Sequence, residues 1–179
     1  MKEYFIGLNE LNYPQRTDPQ KAAMMEASLR NYILSEADKI RLTQKETRYG
    51  WLFRKKGHDQ DPKFQQTLKN FQTDFVAKET DEKLYHIDQG RGKVFNHYFY
   101  KLSPKIKDLL NTLTLVWMFW PQLESPIYGF EDPSFYKENR LIAHVISHES
   151  YIYLYLEEDL AGSLMKQLGV EFKDTATWS

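Results

Sequence analysis

The sequence predicts an α+β fold in a single domain over 1–179. Its N-terminal two-thirds should be helix-rich. An antiparallel sheet, including a C-terminal β-meander, should follow and be closed by a C-terminal helix. Three observations predict this. An Asp-Pro or Ser-Pro pair precedes each of three stretches whose apolar residues recur at helical spacing. Tyr151-Ile-Tyr-Leu-Tyr-Leu156 alternates two side-chain classes without a break, as a half-buried strand does. A length of 179 residues suits one unit of the usual ~100–200 residues.

The helices are the easier elements to justify. At Asp18-Pro19 the aspartate can accept from the open amides of a first turn, while proline occupies a position that needs no donor. Ala22, Met25, Leu29, Tyr32 and Ile33 then share one apolar face. A weaker stripe predicts another helix over 36–47. Asp61-Pro62 repeats the device ahead of Phe64, Leu68, Phe71 and Phe75. Ser103-Pro104 repeats it ahead of Ile106, Leu110, Leu113, Trp117 and Trp120, until Pro121 stops the rhythm. That last helix is apolar nearly all round from Leu109, so Trp117 and Trp120 are expected in the core. A final helix should run from Glu157 to about Leu168. Glu157, Glu158 and Asp159 suit its positive end, Leu160, Leu164 and Leu168 form its stripe, and Gly169 can terminate it.

The strands lie between and after. Residues 84–87 and 94–100 flank the glycine-containing segment Asp88-Gln-Gly-Arg-Gly-Lys93 and should form a hairpin-like pair. Ser134 to Lys137, a turn at Glu138-Asn139, Arg140 to His148, and Tyr151 to Leu156 make up the meander.

Composition removes several chemistries. Hydrophobic residues at 41% and charged residues at 27% exclude wholesale disorder. The absence of cysteine excludes disulfides, cysteine-ligated zinc, iron–sulfur clusters and thiol nucleophiles. A net charge of −1 gives no overall pull toward nucleic acid or anionic lipid. The charge is nonetheless uneven. Residues 1–120 carry 20 Lys/Arg against 15 Asp/Glu, and residues 121–179 carry 4 against 10. The start lacks a secretory signal, and Leu109 to Trp120 is too short and broken to span a bilayer. The expectation is a soluble cytoplasmic protein with no membrane contact.

His144-Val-Ile-Ser-His148-Glu149 is the segment most suggestive of chemistry. On a helix, histidines four apart can share a metal. On a strand the same spacing covers about 13 Å, too far for one ion. The β-branched residues here favour the strand, so no metal and no cofactor are expected. With an even loop at Glu149-Ser150, His148 would face Tyr151, Ile146 would face Tyr153, and His144 would face Tyr155. Ala143, Val145 and Ser147 would meet Leu156, Leu154 and Ile152 on the other face. His144, His148, Glu149, Tyr151, Tyr153 and Tyr155 therefore define the candidate binding face. It is either packed beneath a helix or open for recognition, a use for which tyrosine is enriched.

Arg48 to His58 mixes cations with aromatics and is the candidate surface for nucleic acid, a partner not favoured by the overall charge. Gly90-Arg-Gly-Lys93 lacks the spacing of a phosphate-binding loop. No Gly-x-Ser-x-Gly elbow or His-Glu-x-x-His motif is present, and no catalytic residues are assigned. The functional expectation is a non-enzymatic protein-binding module of immunity, inhibitor or regulatory type, with a protein partner and a homo-oligomer compatible with it. The alternative is a small-ligand-binding protein or enzyme using the His/Tyr face. A weaker alternative is nucleic-acid binding through 48–58.

Overall fold

A computed structural model of the chain describes residues 1–7, 19–47, 61–81, 83–84, 87–88, 93–113, 127–146 and 151–174. Strand β1 spans Lys2–Gly7, β2 Lys39–Thr47 and β3 Phe75–Asp81. The short strands β4 (Lys83–Leu84) and β5 (Ile87–Asp88) pair with each other. Strand β6 spans Lys93–Lys101, β7 Glu131–Lys137, β8 Arg140–Ile146, β9 Tyr151–Leu156 and β10 Lys173–Asp174. Eight of these form one antiparallel sheet in the order β10-β1-β9-β8-β7-β2-β6-β3. Among the described residues the helices are α1 (Pro19–Glu36), α2 (Pro62–Phe71), α3 (Pro104–Asn111) and α4 (Glu158–Leu168).

The fold is α+β, but the expected helix-rich N-terminal two-thirds is wrong. β1, β2, β3 and β6 all precede residue 102 and supply half of the eight-stranded sheet. The meander β7-β8-β9 lies in the middle of the sheet, between β2 and β1. The last helix does not close the fold either, because β10 follows it and pairs with β1.

The predicted helix over 36–47 is β2. Lys39, Arg41, Gln44, Lys45 and Glu46 are good helix formers one by one, which hid the alternation of Ile40 and Leu42 with Arg41 and Thr43. Pairing on both sides, with β6 and β7, overrides that local preference. The expected pair of 84–87 with 94–100 also fails, since β6 pairs with β2 and β3.

The proline-led starts fold as their chemistry dictates. Asp61 accepts from the amide of Lys63 at 2.9 Å, and Ser103 accepts from that of Ile106 at 3.4 Å. Asp61 has a second task, because Tyr128 donates its hydroxyl to the other carboxylate oxygen at 2.8 Å. Asp61→Ala should therefore cost about 1–2 kcal/mol. Urea unfolding would register this as a lower midpoint at unchanged slope, and Asp61→Asn should restore most of the loss.

Helix α3 ends at Asn111, well before Pro121. Thr112 turns its hydroxyl back to the carbonyl of Leu109 at 2.7 Å, a local bond that competes with helix propagation. Trp117 and Trp120 lie outside the described residues. On α4, Gly169 takes the left-handed conformation at φ 66° and returns its amide to Met165, as a terminating glycine should. Leu164 and Leu168 are buried, but Leu160 is 39% exposed and Ala161 takes the inward position. The turn at Glu138-Asn139 has both central residues left-handed, at φ 48° and 65°. Such a turn matches the twist of the strands it joins.

All four helices contribute to a single buried cluster. It includes Leu29 and Ile33 of α1, Phe64 and Phe71 of α2, Ile106 and Leu110 of α3, and Leu164 and Leu168 of α4. From the sheet it takes Ile6, Ile40, Leu42, Phe135, Val145, Ile152 and Leu154. Phe5, Arg41, Ser134, His144, Tyr151, Tyr153 and Tyr155, alternate residues of these strands that point the other way, do not belong to it, whereas Ile142, at the register shift between β7 and β8, does. No described helix is long and apolar enough to cross a membrane.

Candidate functional site: the sheet face opposite the described helices

Residues 140–146 form a strand, with His144 opposite Tyr153, Ala143 opposite Leu154, and Val145 opposite Ile152. The register thus differs by two residues from the expected one, in which His144 faced Tyr155 and Ile146 faced Tyr153. A two-residue shift keeps every side chain on its face. Ala143, Val145, Ile152, Leu154 and Leu156 join the helix-packed cluster. His144, Tyr151, Tyr153 and Tyr155 share the opposite face. His148 and Glu149 lie outside the described residues, as do the cation–aromatic segment 48–58 and the loop residues 89–92.

Strand pairing extends this face across the whole sheet. Lys173 of β10 pairs with Phe5, Phe5 with Tyr153, Tyr153 with His144, and His144 with Ser134. Ser134 pairs with Arg41, Arg41 with Phe99, and Phe99 with Ala77 at the far edge. One continuous row therefore crosses eight strands. It carries two cations and three aromatic rings but no carboxylate.

The row is held by specific contacts. Arg41 Nη2 donates to Ser134 Oγ at 2.8 Å, and Ser134 Oγ lies 2.8 Å from His144 Nδ1. His144 stacks on Tyr153 at 6.4 Å between ring centres and 26° between planes. Phe5 meets Tyr153 at 6.1 Å and the edge of Tyr151 at 5.5 Å. Lys173 Nζ sits 5.7 Å over Phe5, and Lys39 Nζ sits 5.2 Å over Tyr136 and 5.7 Å over Phe99. Such contacts place each ammonium on the negative face of a ring.

Burial and charge fix the protonation states. His144 is 5% exposed, and burial together with the neighbouring Arg41 charge pushes its pKa down to about 3. His97, in the next row, lies 3.0 Å from Thr43 Oγ1. Burial and Arg41 push it down to about 4, against a smaller upward pull from Asp81. Both imidazoles are neutral near pH 7. A neutral His144 can accept at Nδ1 the hydroxyl proton that Ser134 retains after accepting from Arg41. Burial and a hydrogen bond to Glu3 push the Tyr155 phenol up, so it stays a neutral donor.

The Ser134–His144 contact has the length of a nucleophile–base pair. Ser134 is 0% exposed, so no substrate carbonyl reaches its oxygen in this conformation. The pair orients Arg41 and the His144 ring instead. Among the described residues, no three His, Asp or Glu side chains are grouped to hold a metal. Among the described residues, four partly exposed tyrosines (Tyr136, Tyr151, Tyr153 and Tyr155) and the partly exposed Phe99 make up the accessible aromatic surface of the face, while Phe5, Phe95, His97, Ser134 and His144 on it are buried.

Sequence reasoning placed His144 and the three β9 tyrosines together but missed Arg41, Ser134, Phe5, Phe99 and Lys173. Reading 36–47 as a helix removed Arg41 from any sheet face. Ser134 was available as the start of a strand, but its partner could not be named without the register. No protein-family model, no curated protein and no solved structure matches the chain.

Proposed function

We propose that the chain is a non-enzymatic cytoplasmic binding protein that engages a protein partner through the sheet face opposite the described helices. An immunity, inhibitor or regulatory protein works in this way, by presenting a rigid surface rather than by turnover. One observation carries the reading: five partly exposed aromatic side chains share a face whose residues stand outside the helix-packed cluster. Tyrosine offers large contact area, few torsions to freeze and a polar tip, which is why it recurs as an interface anchor. The supporting strands are internal to the sheet, so the surface is held stiff before any partner arrives, and less ordering entropy opposes binding.

The test is site-specific photo-crosslinking in the native cell. A benzophenone amino acid placed at Tyr151 should capture a discrete partner, whereas the same group at Gln66, on the outer side of α2, should not. Capture from position 66 alone, or equally from both, would contradict the assignment of the face.

A further inference from the structure

We infer that Arg41, on the sheet face opposite the described helices, is the docking point for a carboxylate carried by an acidic segment of the protein partner. The inference rests on the proposed use of this face and adds the chemistry of what it takes.

Arg41 is only partly exposed, yet among the described residues it forms no ion pair and has Ser134 as its sole hydrogen-bond acceptor. Its Nε is buried without an acceptor. A guanidinium has five N–H donors in a fixed planar fork. Holding one in a half-buried position with a single neutral acceptor is costly; Nε lies out of a ligand's reach, and a carboxylate that takes two N–H bonds from the outer nitrogens Nη1 and Nη2 recovers part of that cost. The surroundings suit this. The row through Arg41 contains no acid, and neither Asp81, which acts on His97, nor Glu131, which pairs with Thr43, forms an ion pair with Arg41. Lys39 and Lys173 are already seated over aromatic rings. Ser134, braced by His144, fixes one side of the fork. Tyrosines on the same face supply the apolar contact that a peptide's neighbouring side chains need.

The probe is an acetylated, amidated peptide Glu-Leu-Glu-Leu-Glu, titrated against the full chain with arginine side chains labelled for NMR. Saturable binding should shift the Nε–Hε signal of Arg41, and the same peptide with Gln for Glu should bind at least about tenfold more weakly. Equal affinity for the two peptides, or no saturable binding, would overturn the inference. So would an equal shift by inorganic phosphate, which would make the site a general oxyanion trap. That comparison needs no variant and so does not depend on any mutant folding.

Variants then separate this inference from the reading beneath it. Arg41→Lys should lose about tenfold and Arg41→Gln should lose nearly all binding, both with melting temperatures close to the parent. If Tyr153→Ala abolishes binding while Arg41→Gln does not, the face is right and the carboxylate is wrong. If neither variant changes binding, both fail.

Discussion

Replacing Phe64 with alanine should destabilise the fold by about 3–5 kcal/mol, the range for deleting a large core aromatic. Its ring is 0% exposed and meets the edges of Phe130 at 5.1 Å and Tyr98 at 6.3 Å. Phe130 and Tyr98 also touch each other at 5.3 Å, so removing Phe64 opens a three-ring cluster rather than one contact. The backbone at Gly129 packs directly against the Phe64 ring, so truncation removes that contact as well. Gly129 stands at φ 85°, and a Cβ there would lie 2.5 Å from a Phe64 ring carbon. Chemical denaturation measures the cost. Phe64→Leu should recover a good part of it, and a loss below about 1 kcal/mol for Phe64→Ala would mean that this cluster is not central to the core.

Lowering the pH from 7 to 5 should destabilise the protein by roughly 4 kcal/mol through His97 and His144 alone. Folded, their pKa values lie near 4 and 3, held down first by burial and then by the charge of Arg41. Unfolded, both titrate near the ordinary histidine value of about 6.5. Between those limits the unfolded chain binds more protons, so stability falls as the pH falls, by up to about 1.4 kcal/mol per unit for each histidine. Above about pH 7.5 neither form carries an appreciable proton at these residues and they contribute little slope. Urea unfolding across this range gives the slope directly. His144→Gln keeps a hydrogen-bonding side chain beside Ser134 and should remove about half of the acid-dependent loss. Stability that stays flat or rises toward pH 5 would contradict the burial of both imidazoles.

How much of this was legible depended on whether the signal was local. The helix starts at Pro62 and Pro104 were readable because capping is a contact between neighbours, that at Pro19 because proline suits a first helical position, and α4 because Gly169 and the acidic first turn bracket it. The faces of β8 and β9 were readable because alternation survives any even shift in register. The register itself was not, since it depends on the residues that join the two strands as well as on the pattern within them. Strand β2 was misread because its polar residues favour helix individually. Only its two neighbours in the sheet, distant in sequence, decide otherwise. That misreading spread to the site. With Arg41 on a supposed helix, nothing connected it to Ser134, 93 residues away, or to His144. The candidate face was therefore half visible: its tyrosines and one histidine came from alternation, while the arginine, serine and Phe5 emerged only from long-range pairing.

The central claim is that the sheet face opposite the described helices recognises a partner, and Tyr153 is its most direct probe. Tyr153 is partly exposed on an internal strand, stacked on His144 and in contact with Phe5. The decisive measurement is calorimetric titration of the crosslink-identified partner with the parent protein and with Tyr153→Ala, alongside the unfolding free energy of each. The account predicts that affinity falls by about 2 kcal/mol or more, as for a central interface anchor, while folding stability falls by less. Unchanged affinity, or a loss of folding stability that accounts for the entire loss of binding, would contradict it.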